Sequence, residues 1–126
     1  MTHQPLDDTD GGGAVLAALD RAPRVLAVVS GHVHRNRIDA RRTPAGGYWL
    51  ISTASLADFP QQARVLAVVE RPGGGAALET WMLDHDGRGL AGTSRELAYV
   101  DAQGGRPSGF AGRRQDRNAR LFKPAP

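Results

Sequence analysis

His32 and His34 stand one residue apart in "SGHVHRN", just after the apolar run Val25 to Val29 and a glycine. Neutral imidazole is a ligand for zinc-, iron- and manganese-type ions. A third histidine, His3 in "THQP", lies near the start of the chain. Three imidazoles suffice for a metal centre if the fold brings them together. Cysteine is absent, so any metal must be held by histidine, carboxylate, amide or water. Beside the pair, the Arg35 guanidinium can fork two hydrogen bonds to a phosphate and the Asn36 amide can add another, although both residues could equally pin the loop. The plainer reading of His32 and His34 themselves is a pair of polar residues capping a turn. His85, in "LDHDGR", reads as part of an exposed turn solvated by Asp84 and Asp86.

The elements that must position these residues show as apolar patterns. Met1 to Gly13 is polar and turn-like, and its "GGG" lacks the lysine and spacing of a nucleotide-binding loop. Residues 14–22 form a helix candidate, with Val15, Leu16, Leu19 and Ala22 at helical spacing and Pro23 as its stop. Residues 25–29 read as a strand covered on both faces. "PAGG" turns between "NRIDARRT" and "YWLIST", which predicts a hairpin of strands near 36–42 and 48–53. "RVLAVV" recurs at Arg64 to Val69, a second buried strand near 64–70. After "RPGGG", a strand near 76–83 places Leu78, Thr80 and Met82 opposite Glu79, Trp81 and Leu83. Trp49 and Trp81 are expected to fill the core. Residues 1–86 thus form the main unit. Residues 87–126 form an extension: a helix over "TSRELAYVDAQGG", capped by Thr93 or Ser94 and closed by Gly104, then a loose, partly flexible tail.

A helix between two buried strands signals a βαβ unit whose first strand would precede the chain's start, so an incomplete α/β (α+β) domain is expected. His3 would sit at the exit of that strand. Histidines at i and i+2 leaving a strand point to one side, and a preceding glycine permits a sharp turn. Adjacent parallel strands exit side by side, so His3, His32 and His34 are expected to converge.

On these residues the chain resembles a family. "SGHVHRN" is similar to the glycine-histidine-any-histidine signature of calcineurin-like metallophosphoesterases, and "THQP" to the histidine-proline segment that precedes it. "YWLISTASLADFPQQARVLAVVE" resembles the strand-rich region after the signature in an actinobacterial subfamily whose full-length members often carry twin-arginine export signals. The resemblance implies a strand-rich C-terminal portion of an αββα sandwich with one or two helices. It implies two divalent ions of manganese, iron or zinc type, with His3 and His32 on one and His34 on the other. Such a centre clamps a phosphoester between ions about 3.5–4 Å apart and supplies hydroxide for in-line attack. The family's aspartate-any-histidine, glycine-aspartate and glycine-asparagine-histidine motifs do not occur in this chain. The expectation is therefore a hydrolase region that carries the histidine half of the centre, is inactive alone, and has the missing N-terminal half of the domain as its partner.

Whole-chain numbers narrow the alternatives. With 126 residues, 40% hydrophobic and 23% charged, the chain has the composition of one globular domain. Its net charge of +3 is mild, and the arginine-rich "GRRQDRNAR" is the sole pointer to nucleic acid, an unlikely partner. No apolar run nears the roughly 18 residues of a membrane span and no leader is evident, so no membrane partner is expected; the compartment stays undetermined. A cupin-like metal protein would use the same histidine pair with Asp39 and Gly46 downstream, but it needs a later histidine motif that the sequence lacks. A non-catalytic remnant, or metal-binding fragment, is the other alternative.

Overall fold

The computed structural model describes residues 1–103 and 108–125. The apolar run ends in β1 (Ala27–Ser30), and the hairpin forms as β2 (Arg37–Arg41) and β3 (Tyr48–Ser52). β3 lies in the middle of this first sheet. It pairs in parallel with β1, Ser30 opposite Ser52, and antiparallel with β2, Arg37 opposite Ser52. β4 (Ala63–Glu70), β5 (Ala76–Leu83) and β6 (Ala119–Lys123) form a second, antiparallel sheet with β5 central. Together with α1 (Gly12–Leu19) and α2 (Gly89–Gln103), the protein is α+β, with two α-helices and six strands in two small sheets among the described residues.

The sheets face each other across an apolar core. Ile38 of β2 and Ile51 of β3 meet Leu78 of β5 and Leu121 of β6, all buried. Burying each such side chain contributes roughly 1.5–3 kcal/mol. On the other face of the first sheet, Leu16 of α1 packs on Val28 and Tyr48. The layers therefore run α1, first sheet, second sheet.

Helix α1 begins two residues before the expected start. The chain must pass close to the Leu6 carbonyl, where a Cβ at position 12 would lie 2.1 Å from the oxygen, and only glycine fits. It also ends at Leu19, ahead of Pro23: Asp20 N–H still donates to the Leu16 carbonyl, but the N–H groups of Arg21 and Ala22 turn to carbonyls three residues back. The Asp20 carboxylate accepts two hydrogen bonds from Arg41 at 2.6 Å and one from the Tyr48 hydroxyl at 3.0 Å. These contacts hold the Asp20 carboxyl below its usual range, with Arg41 the main cause.

The extension differs more. Residues 119–123, expected in a loose tail, are β6, because Leu121 and Lys123 face inward while Arg120 pairs with Glu79 at 2.9 Å. Helix α2 starts at Gly89, ahead of Thr93 and Ser94, and the Gly104 stop lies outside the described residues. Trp81 faces away from the inter-sheet core and is 40% exposed. Trp49 does pack on that core, and its indole N–H donates to the Phe122 carbonyl at 3.3 Å. Among the described residues no helix is long and apolar enough to cross a membrane.

Candidate metal centre

The three histidines sit at one edge of the first sheet. β1 and β3 run in parallel and finish together at Ser30 and Ser52, whose hydroxyls lie 3.3 Å apart. Residues 1–3 run beside β1, with Thr2 N–H donating to the Val29 carbonyl at 2.9 Å and Gly31 N–H to the His3 carbonyl at 3.0 Å. These bonds place His3 beside the end of β1.

His3 and His32 meet. His3 Nε2 and His32 Nδ1 are 3.1 Å apart, and the rings stand edge to face with centroids at 4.9 Å. Gln4 Nε2 approaches the other nitrogen of His32 at 3.4 Å. Both rings are exposed. His34 takes a different partner, its Nδ1 pairing closely with an oxygen of Asp58. No group of three or more histidine, cysteine or carboxylate side chains able to hold one metal ion occurs among the described residues.

The backbone explains the divergence. β1 stops at Ser30, so the alternation that would send positions 32 and 34 to one side does not extend to them. His32 and His34 themselves adopt left-handed conformations, φ +63° and +52°, which few non-glycine residues take. Gly31 does not, and a Cβ there would meet nothing closer than 3.9 Å. The turn expected of the glycine is made by the histidines. Two such residues in one loop store of order 1–3 kcal/mol each, and strain of this kind persists where the surroundings hold it and concentrates at functional sites.

Asp58 is the residue that sequence reasoning missed. It lies in the loop after β3, and Ser55 positions it by accepting hydrogen bonds from Ala57 N–H at 3.0 Å and Asp58 N–H at 3.2 Å. The signal was present: "SLAD" follows a strand that neighbours β1 in parallel, so its exit had to share the edge with the histidines.

Arg35 and Asn36 have different surroundings. The Arg35 guanidinium lies over the Phe110 ring at 5.6 Å, and Arg35 lines a cavity of about 160 Å3 beside the histidine loop with Asp8, Arg37, Pro5, Val33 and Ser52. Asn36 is 1% exposed and is bound on every side by the chain. Its Oδ1 accepts from Ala54 N–H at 3.0 Å and Arg64 at 3.2 Å, and its Nδ2 donates to Gln62 at 3.3 Å and the Ala111 carbonyl at 3.4 Å. Arg64 also donates to Thr80, Arg117 and Asp116; burial pulls its guanidinium down to about 10, with Asp116 opposing, so it stays charged at neutral pH. Asn36 thus fastens the end of the histidine loop to the second sheet. Asp39, the carboxylate a cupin-like site would use, pairs with Arg37 instead. His85 accepts from Gly87 N–H within its own turn at 3.0 Å.

No known family model matches the chain, and no curated protein matches it.

The spacing of one nitrogen pair is compatible with ligation of a single ion. Two nitrogens each about 2.1 Å from one ion, as neighbouring corners of its coordination shell, stand about 3.0–3.4 Å apart. The pair His3 Nε2 and His32 Nδ1 has that separation. At His34 the Asp58 contact occupies Nδ1 and leaves Nε2 as the ring nitrogen open to a ligand.

Proposed function

We propose that this chain carries the histidine side of a dinuclear metal phosphoesterase centre. His3 and His32 hold one divalent ion, of manganese, iron or zinc type, and His34 holds the other through Nε2. The observation that carries this reading is the 3.1 Å approach of His3 Nε2 to His32 Nδ1 while His34 engages a separate partner, Asp58. That division of the histidines is the one the resemblance implies.

Bound divalent metal supplies polarisation of the phosphoryl oxygen and a hydroxide at neutral pH. The chain's own residues do the rest by position. Asp58 keeps His34 in one tautomer and orientation, and Arg35 faces the cavity next to the histidine loop, where its guanidinium can hold a phosphate through two hydrogen bonds. Three neutral imidazoles cannot balance four positive charges, so both ions are held firmly only when further carboxylates join. On this reading those carboxylates come from a partner polypeptide that completes the centre, and hydrolysis requires it.

A second reading rests on the same contact. A nitrogen pair at 3.1 Å is also a good N–H···N hydrogen bond, which would make His3 and His32 a latch holding the first residues to β1. Metal titration separates the two. Calorimetric titration with zinc and manganese ions should show saturable binding that is lost in the His32→Ala, His34→Ala double variant and weakened about 10–100-fold at the His34 site in Asp58→Ala. Equal uptake by the parent and the double variant would leave only the latch.

A further inference from the structure

At the opposite end of the sheets from the histidines lies a cavity of about 280 Å3 between the turn of the first hairpin and the end of β6. Its charged lining is wholly cationic: Arg41, Arg42 and Lys123. Arg41 is neutralised by the forked contact to Asp20, which raises the guanidinium's affinity for its proton. Neither Arg42 nor Lys123 has a carboxylate partner among the described residues.

Lys123 is the unusual member. It is only 8% exposed, and its ammonium donates to one acceptor, the Gly47 carbonyl. An ammonium has three donors, and burying one without a counter-charge is costly. β6 points it inward because Lys123 shares the face of Leu121, opposite Ala76. A role as a staple between the sheets explains the bond to Gly47. It does not explain an open cavity that a longer apolar side chain could have filled, nor a second unpaired cation on its wall.

The remaining lining suits the body of a small anion. Trp49 offers a flat apolar wall, while Phe122 borders the cavity with its ring on the outward face of β6, where Arg71 lies over it at 4.9 Å. The Thr43 hydroxyl accepts from Gly47 N–H at 3.1 Å, which leaves its own proton free to donate. The volume is at the small end for ligand sites, enough for one ring and its headgroup.

We propose that this cavity binds a small aromatic phosphate or phosphonate, its charged group held by Lys123, Arg42 and Thr43 and its ring placed against Trp49. The site is separate from the histidines and stands whether or not they bind metal.

Phenylphosphonate, which cannot be hydrolysed as a phosphoester, is the probe, titrated calorimetrically in chelator-containing buffer. Saturable one-to-one binding is expected, about tenfold or more weaker in Lys123→Met, several-fold weaker in Arg42→Ala, and unchanged in His32→Ala. Arg42 is exposed, so its variant reports on the site even if Lys123→Met folds poorly. Inorganic phosphate should bind less tightly, since it forgoes the Trp49 wall. The proposal is overturned if the parent protein shows no saturation at millimolar probe, if Arg42→Ala binds as the parent does, or if His32→Ala abolishes binding and so moves the anion to the metal centre.

Discussion

Replacing Asn36 with alanine tests whether this residue is part of the scaffold or a contact for substrate. In the structure it is scaffold. Truncation removes the acceptor of the Ala54 N–H at 3.0 Å and one acceptor of the Arg64 guanidinium at 3.2 Å, together with two longer bonds to Gln62 and Ala111. A buried donor left unpaired costs about 1–3 kcal/mol, but Arg64 keeps its bonds to Thr80, Arg117 and Asp116, so its share falls at the low end. The two long bonds add little. The sum is about 2–4 kcal/mol, a large part of the roughly 5–15 kcal/mol that holds a domain together. In urea this should lower the midpoint by about 1–2 M with the slope unchanged, and on heating it should lower the melting temperature by about 10 °C. Asn36→Asp should lie between alanine and the parent, because it keeps both acceptor contacts while setting a carboxylate oxygen against the Gln62 and Ala111 oxygens. An Asn36→Ala protein as stable as the parent would refute this account and return Asn36 to the phosphate side of the site.

Two further outcomes follow from the same region. Gly112→Ala should destabilise the protein by about 2–4 kcal/mol in urea titration: its φ is +72°, and a Cβ there would lie 2.4 Å from the Asn36 carbonyl, so the added methyl is both strained and obstructed. A parent-like midpoint would mean that the loop 108–117 does not press on residue 36. For acid sensitivity the group to follow is Asp116, 3% exposed. Burial pushes its carboxyl up, but hydrogen bonds from Arg113 and Ile38 N–H outweigh that and hold it below the usual carboxylate range. A depressed native value means the stabilisation is complete above about pH 4, the unfolded value, and fades as pH falls through the native one. Urea midpoints should therefore fall below about pH 4 in the parent and change less in Asp116→Asn. Parallel curves for the two proteins would contradict the assignment.

Much of this fold was legible because its strands are patterned by burial. The hairpin, its turn, the first "RVLAVV" strand and the alternation in β5 follow from apolar residues meeting a core, and every expected strand lies within one residue of its bounds save the start of β1, two residues late; the second "RVLAVV" forms β4 where expected, but it is not buried, and Val68 is 67% exposed. β6 was illegible for a physical reason. "ARLFK" puts a lysine on the inward face and a phenylalanine on the outward one, the reverse of the usual signal, and the lysine is tolerated there only because a carbonyl and a cavity receive it. Trp81 misled in the same way, since outward-facing aromatics on β5 and β6 carry no mark in the sequence that separates them from core residues.

The site was legible in its members and not in its geometry. Periodicity reaches only as far as regular backbone does, and β1 ends two residues before His32. Past that point the positive φ values of His32 and His34 decide where the rings go, and no spacing rule encodes them. What does carry across is topology. Three chain segments leave one sheet edge side by side: residues 1–3 beside β1, the loop after β1, and the loop after β3. Any side chain with a lone pair in the first few residues of each exit is brought within reach of the others, which is why His3 finds His32 and why Asp58, unremarkable in the sequence, finds His34. Asn36 then closes the loop from the far side, through Ala54 beyond β3 and Arg64 on β4, so the strained histidine turn is clamped between the end of β1 and the second sheet. A clamp at both ends is what a left-handed turn of two non-glycine residues requires to persist, and loosening it at Asn36 should release His32 and His34 together.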